Sequence, residues 1–397
     1  MSDPVPYWRL SGFYFWYFAF IGVFATYFAL YLQAIDLAPA EIGILMSLLH
    51  AVRIVTPNLW GWISDHSGKR IAIIRASFFV ATLVFPALFF ARSFGWLFVV
   101  IVLMCTFWSA AMPLFEAATV NTLRGDMARY GRIRLWGSVG FIVAVTAAGA
   151  WLDRVPIEWL LWLVLALMVI TLAWAFALRE KPVAPHEHDH VPVWQVLKRP
   201  EVLVFFLACF LMMASQGASY VFYSIYMVEQ GFSKTTVGVL WSVGVIAEIV
   251  IFFYLPLIFQ RFSHYQLWIL SFGVTVVRYL IVGWFPQVFA LQVLAQTMHM
   301  FSFGTYHATA LAVLHSTFSG KLQARGQALY TSLSFGLGGA MGGLMSGYTW
   351  THWGAAWTFT LSSAMALAGL VLILSRPNVL FFAQKMSAQS ARASETG

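Results

Sequence analysis

Apolar runs long enough to cross a bilayer recur from one end of this chain to the other, and nothing else in the sequence restricts its fold as much. A hydrocarbon core about 30 Å thick needs about 20 apolar residues per helix. Twelve such stretches can be cut, at 11–32, 41–63, 71–91, 95–117, 134–153, 157–178, 202–228, 235–258, 265–284, 287–314, 325–348 and 355–375. Lipid offers no hydrogen bonds to the backbone, so segments of this length cross as helices. Only 10% of the 397 residues are charged, against about 25% in a soluble domain, which leaves too little charged surface for two or three soluble domains. The same composition excludes disorder, collagen and coiled coil. Phe, Trp and Tyr make up 17% of the chain, as suits lipid and its interfaces. The first apolar run is too long for a cleavable signal, and no basic segment precedes it. Cys105 and Cys209 both lie in apolar runs and read as small packed hydrophobes, not a disulfide.

Lys and Arg set the orientation. With the N-terminus cytoplasmic, the cytoplasmic segments hold 18 of these residues and the outer segments hold 3, namely Arg92, Arg154 and Lys234. Both termini are therefore expected inside. Topology accounts for the net charge of +8, which is no sign of nucleic acid. Arg53 and Arg278 fall within spans.

The longest polar interruption, 179–201, divides the chain into halves. It carries His186, His188 and His190 alternating with Glu187 and Asp189. Such residues can ligate a metal. However, Pro182, Pro185 and Pro192 break regular structure there and no second ligand cluster exists, so the segment reads as a solvated linker and no metal site is expected. The expected fold class is an all-α polytopic membrane protein. Its twelve spans form two pseudo-symmetric six-helix bundles, 1–178 and 202–376, with 179–201 as cytoplasmic linker and 377–397 as a polar cytoplasmic tail.

An internal repeat supports the two halves. A shift of 195 residues brings Tyr31 onto Tyr226, Gly43 onto Gly238, Leu45 onto Leu240, Ser47 onto Ser242, Ile54 onto Ile249 and Val55 onto Val250. In this register Arg53 meets Glu248. Each is the one ionisable side chain deep in its span, about 18–20 Å from the outer end at 1.5 Å per residue. Charge at that depth is costly and marks either a functional site or a structural ion pair. Symmetry-related ionisable groups at mid-membrane fit an alternating-access carrier.

The loop after span two reads Gly61-Trp-Ile-Ser-Asp65-His66-Ser-Gly68-Lys69-Arg70. Gly61 permits close helix approach and Gly68 a tight turn. Asp65 can cap a helix or pair with an Arg, and Lys69 and Arg70 suit anionic headgroups. This loop resembles the G-x-x-x-D-[RK]-x-G-[RK]-[RK] signature of the major facilitator superfamily, with His66 in place of a base. The resemblance implies a conformational latch at Gly61, Asp65, Gly68, Lys69 and Arg70. The matching segment of the second half, 256–265, has neither the Asp nor the Gly.

Three further segments resemble the lactose-permease-type proton symporters within that superfamily. They are Pro113-Leu-Phe-Glu116, then Tyr130-Gly-Arg-Ile-Arg134-Leu-Trp-Gly137-Ser-Val-Gly140-Phe141, and Thr297-Met-His299-Met-Phe-Ser302. Spans four and five form a hairpin, so Glu116 and Arg134 fall at similar depth and can pair. The resemblance implies a substrate site at Glu116 and Arg134 with the Phe141 ring nearby. Two departures count against a sugar. Ser302 replaces the acid three residues after the helix-ten His, and Glu248 sits about one turn from the symporters' helix-eight Glu. A closer likeness is to the phenylpropionate-permease group, carried by YGRIRLWGSVGF, by LWSVGVIAEIVIF and by His299 with His307.

That likeness implies proton-coupled uptake of a small aromatic carboxylate across a bacterial-type inner membrane. A charge count agrees, since Arg53, Arg134 and Arg278 outnumber Glu116 and Glu248 by one and Arg clamps carboxylates well. The substrate is expected on Arg134 or Arg53, with Phe141, Tyr220, Tyr223 and Trp241 against its ring. Glu248 or Glu116 is expected to carry the proton. His299 and His307 are relay candidates, and His299 reads equally as a satisfied interhelical hydrogen-bonder. Arg278 belongs to the coupling set or is a structural partner of Glu248. The alternatives are a proton symporter for sugars or nucleosides, an exporter of apolar drugs, and a membrane sensor that does not transport. An enzyme is not expected. His299 and His307 stand about 12 Å apart along one helix, too far to share a metal. No nucleophile triad or phosphate loop is convincing. The expected partners are the substrate, protons and the bilayer, with no cofactor beyond the proton gradient and with the chain as a monomer.

Overall fold

The computed structural model describes residues 6–179, 194–318 and 320–376, and every regular element among them is helical. The first half supplies α1 (Tyr7–Ala34), α2 (Pro39–Ala51), α3 (Thr56–Ser67), α4 (Arg70–Val84), α5 (Phe94–Trp108), α6 (Ala111–Thr122), α7 (Met127–Leu152) and α8 (Trp159–Ala177). The second supplies α9 (Trp194–Leu197), α10 (Pro200–Ser215), α11 (Gly217–Glu229), α12 (Lys234–Arg261), α13 (His264–Trp284), α14 (Phe289–Thr297), α15 (Tyr306–Thr317), α16 (Gln323–Tyr330) and α17 (Gly339–Ser375). Among the described residues ten helical stretches are long and apolar enough to cross a membrane, with α2–α3, α5–α6 and α10–α11 each acting as one. The last of these runs 53 residues, Gln323–Ser375, and Gly354 interrupts it with φ 80°. The chain is thus an all-α polytopic membrane protein. The histidines of the linker, His186, His188 and His190, and the tail lie outside the described residues, whereas the linker's end forms α9.

Span two, expected as one helix over 41–63, is broken where Arg53 sits. Pro57 has no N–H to give the Arg53 carbonyl, so Val52–Ile54 tightens into a 3-10 turn. The Thr56 hydroxyl donates to the neighbouring Val52 carbonyl at 2.6 Å, which also accepts the Val55 N–H. Span seven breaks at Gln216 between α10 and α11. Two π-helical segments, Met300–Thr305 and Thr331–Gly338, interrupt the helices that follow α14 and α16. Such segments widen a helix and often accompany function.

The chain packs as two compact units. One takes the described residues up to 179 together with Tyr220–Ser242, and the other takes 194 to Ser219 and Val243 onward. In the first unit α1 is the central helix, buried against α7 and α8. Glycines let these helices touch backbone to backbone. A Cβ on Gly140 of α7 would stand 2.1 Å from the Phe15 carbonyl oxygen of α1. In the second unit a Cβ on Gly338 would stand 2.7 Å from the Phe210 carbonyl oxygen of α10. The 195-residue shift carries Phe15 onto Phe210, so the same place on the first helix of each half is approached by a glycine, although that shift carries Gly140 onto Phe335 and not onto Gly338. Gly140→Ala is expected to destabilise by about 1–3 kcal/mol or more, because backbone cannot rotate out of the way as a side chain can. Thermal unfolding in detergent checks this, with Gly95→Ala as control, since a Cβ at Gly95 meets nothing within 4 Å.

The segment Tyr220–Ser242 joins the first unit through specific bonds. Tyr27 donates to the Val145 and Lys234 carbonyls at 2.9 and 3.0 Å. Gln33 donates to Glu229 at 2.9 Å. The Asp153 carboxylate, just past α7, accepts from the Lys234 and Thr235 backbone N–H groups at 2.7 and 2.9 Å and from the Thr235 hydroxyl. It thereby caps α12 from another helix. Partial burial pushes the Asp153 pKa up, but the bonds from Thr235 and Lys234 outweigh it and hold the pKa below the ordinary carboxylate value. The stabilisation is therefore present above the unfolded value of about 3.9 and lost as pH falls through the lower folded value. Asp153→Asn is expected to cost a few tenths to about 1 kcal/mol near neutrality. It should also flatten the acid limb of a stability–pH curve in detergent.

Candidate functional site

Two polar centres interrupt the apolar helices, one in each unit. In the first, Arg134 Nε of α7 faces Glu116 Oε1 of α6 at 3.6 Å, with 32% and 40% of the two side chains exposed. Charges in an apolar span that keep this much access line a polar surface, not a lipid face. The guanidinium lies 4.1 Å from the Phe18 ring centroid and 5.5 Å from that of Tyr14, both on α1. Tyr130 adjoins Glu116. The group is close to neutral and offers donors and acceptors side by side. The Phe141 ring packs over Gly22 of α1, where a Cβ would come within 2.8 Å of it, one turn along α1 from Phe18.

Tyr220, Tyr223 and Trp241 come together as an aromatic cluster of their own. Trp241 lies parallel to Tyr220 at 6.4 Å and edge-on to Tyr223 at 6.0 Å. Its indole N–H donates to Ser224 at 3.2 Å, and His50 adjoins Tyr220 at 5.6 Å. Tyr223 is buried, whereas Tyr220 and Trp241 keep some access. Arg53, in the broken span two, lies near Tyr17 and Cys105 in the same unit.

The second centre is built on Arg278 of α13, which is 4% exposed. Its Nη1 donates to Ser302 at 2.8 Å, His299 Nδ1 at 3.1 Å and Gln216 at 3.4 Å, and Nη2 donates to Gln296 at 3.4 Å. All four acceptors are neutral. The Nη donors of Arg278 are thus directed to the α14 end of span ten and to the Gln216 break. Arg can only donate, so His299 Nδ1 must accept, and it cannot carry a proton while this bond stands. His299 is therefore held as a hydrogen-bonder. His307 differs, because its Nδ1 lies 2.9 Å from the Tyr330 hydroxyl, which can give or accept a proton. Phe303 stacks between the two histidines, at 5.3 and 5.7 Å.

Glu248 of α12 lies over the first π segment. Its Cγ would be 3.3 Å from a Cβ on Gly304, so the missing side chain of Gly304 makes the room that Glu248 occupies. Gly244, one turn earlier, similarly admits Gln296.

At the other end of span two, Asp65 and Arg70 pair at 3.7 Å. Gly68 closes α3 with φ 66°, a left-handed turn that favours glycine. His66 Nδ1 contacts the Trp62 carbonyl at 2.9 Å, while its ring packs on Trp62 at 4.4 Å. Lys69 N–H reaches the Ser67 hydroxyl at 3.4 Å. Gly61 departs from its expected role, since a Cβ there meets nothing within 4 Å. Among the described residues no group of three His, Cys, Asp or Glu side chains could hold a metal.

A model of the MFS_1 like family matches residues 7–361. The chain belongs to the MFS_1 like family. It is thereby a member of the major facilitator superfamily, a secondary active transporter and not an enzyme. The probable 3-phenylpropionic acid transporter of Escherichia coli (strain K12) is 28% identical over 390 residues, 94% of this chain and 97% of that one. The maltose permease of Geobacillus stearothermophilus is 25% identical over 364 residues, 91% of this chain and 92% of that one. A crystal structure of the nucleoside transporter NupG superposes with a TM-score of 0.80 at 17% identity, over 94% of this chain and 98% of that one. These bacterial relatives and the run of apolar helices place this MFS_1 like protein among multi-pass proteins of the bacterial inner-membrane kind.

Several residues around the centres of this MFS_1 like protein escape a reading of titratable groups alone. Phe18 and Tyr14 under Arg134 are hidden among the many aromatics of α1. Gln216 and Gln296 carried a usable signal, since an uncharged amide in an apolar span is itself costly. Gly304 was legible only as a glycine, because its role depends on which helix passes it.

Proposed function

We propose that this protein is a proton-coupled importer of a small hydroxyl-rich molecule of the sugar or nucleoside kind. The Glu116–Arg134 pair carries the reading. The pair is internally neutral, accessible and fixed in direction, and it presents an acceptor and a planar donor fork to a diol. An acid would have to displace Glu116 to reach the same guanidinium. Tyr220 and Trp241, parallel and accessible, offer a face for a sugar or base ring. The maltose and nucleoside activities named for two relatives support this class.

The architecture we infer is twelve spans in two six-helix bundles, with both termini cytoplasmic. Phe289–Thr317 counts as one span despite its π segment, and Gly354 divides the last apolar run into two. Alternating access around a mid-membrane site follows for such a pair of bundles. Asp65, Gly68, Lys69 and Arg70 form the latch. Glu248 is the proton carrier in this reading, with His307 beside its path, and Arg278 with His299 holds the helices that carry it.

A second reading, uptake of an aromatic acid, is favoured by the 28% identity to the probable 3-phenylpropionic acid transporter and by Arg278 having only neutral acceptors. Uptake into proteoliposomes under an inward proton gradient separates the two. Accumulation of a nucleoside or disaccharide is the expected result. Accumulation of 3-phenylpropionate alone would replace the first reading with the second.

A further inference from the structure

Away from both polar centres, the first unit has an open cleft of about 110 Å³. Tyr31 near the end of α1, Phe89 and Arg92 beyond α4, and Glu158, Trp159 and Trp162 at the start of α8 line it. Alternation of the helices puts these ends together, on the membrane face opposite the loops that carry Lys69, Arg70 and Arg124. Tyr31 is 1% exposed and forms the floor. Trp159 and Trp162 are 49% and 56% exposed, and Trp162 packs on Phe89 at 4.5 Å. Arg92 and Glu158 are both exposed and both act on the Tyr31 hydroxyl, yet no ion pair within 4.0 Å joins them.

Opposite charges that share a cleft without meeting leave room for a ligand carrying both signs. Arg matches a phosphate with its fork, and Glu matches an ammonium. An indole face adds cation–π attraction for the same ammonium. Half-exposed Trp side chains at helix ends sit at headgroup level in a bilayer. We propose that this cleft binds the headgroup of a zwitterionic phospholipid of the phosphoethanolamine type, in the leaflet away from the basic loops. Arg92 takes the phosphate, Glu158 takes the ammonium, and Trp159 and Trp162 flank it. The assignment does not depend on which substrate is carried.

The test is native mass spectrometry of the delipidated full chain, given phosphatidylethanolamine or phosphatidylglycerol of the same acyl chains. The wild-type protein is expected to retain phosphatidylethanolamine about fivefold better, as suits one ammonium contact. Glu158→Gln should erase that preference. Arg92→Gln should weaken both lipids, while Arg92→Lys, which keeps the charge if the first variant proves unstable, should restore retention with the preference intact. Equal retention of the two lipids by wild type, or a preference unchanged in Glu158→Gln, overturns the proposal. Soluble phosphoethanolamine at matched concentration is expected to leave the lipid bound. Displacement of the lipid by it would assign the cleft to a soluble zwitterion and overturn the lipid assignment.

Discussion

Glu116→Gln is expected to lower affinity for a hydroxyl-rich substrate about 10- to 100-fold. The substitution keeps the shape of the side chain and removes the counter-charge facing Arg134 at 3.6 Å. A hydrogen bond to a charged partner contributes about 1.5–3 kcal/mol, which sets the scale. The same variant distinguishes the two substrate classes by sign. A carboxylate substrate competes with Glu116 for the guanidinium, so Glu116→Gln should improve acid binding while it damages binding of a diol. Isothermal titration of the purified variant with a nucleoside, a disaccharide and 3-phenylpropionate reads both directions in one experiment. Tighter binding of the acid with no loss for the neutral ligands would sink the diol reading. Arg134→Lys probes the other partner. It keeps the charge but loses the planar fork and its contact over Phe18 at 4.1 Å, so a loss of about tenfold is expected.

The pairing of Glu116 with Arg134 was legible in the sequence because hairpin geometry fixes relative depth. Two adjacent spans joined by a short loop leave little freedom along the membrane normal. The spans themselves were legible for a related reason, since lipid tolerates one kind of segment and its length is set by the bilayer. What the sequence conveyed poorly was direction around each helix axis. Phe141 packs on Gly22, and the ring over the guanidinium is Phe18, which comes from another helix. Aromatic side chains occur on every face of α1, so no periodicity singled out Phe18.

Breaks within helices were half legible. Pro57 announces the interruption at Arg53, because a missing N–H has a fixed victim one turn back. The π segments at Met300–Thr305 and Thr331–Gly338 carry no such signature, since one extra residue in a turn is favoured by neighbouring helices and not by local sequence. The neutral acceptors of Arg278 were hard to foresee for that reason. A list of titratable groups offers Glu248 as one partner, but hydroxyl, amide and imidazole groups also accept from a guanidinium, and Ser302, which stands where the sugar symporters carry an acid, is one of them.

Glu248→Gln is expected to abolish proton-driven accumulation while leaving exchange of labelled for unlabelled substrate largely intact. An amide of the same size fills the room over Gly304 but cannot release a proton, so the carrier still cycles when loaded and loses its coupling. Uptake into proteoliposomes with and without a pH gradient, beside counterflow at equal pH, separates these steps. Full accumulation by the variant would remove Glu248 from the coupling role. Gly304→Val approaches the same residue from the opposite helix. Its Cβ alone would stand 3.3 Å from Glu248 Cγ and 3.0 Å from Ile251 Cγ2, and the two methyls beyond it force the carboxylate from its seat or spread the helices. Such overpacking costs about 1–3 kcal/mol. The functional loss should therefore follow Glu248→Gln in kind, with coupling impaired more than exchange. In contrast, His299→Gln is expected to lower stability in preference to coupling. His299 Nδ1 only accepts from Arg278, and an amide oxygen can take over that acceptance. If His299→Gln uncouples while Glu248→Gln does not, the proton travels through the histidine, and the Arg278 bond to Nδ1 must break during each cycle.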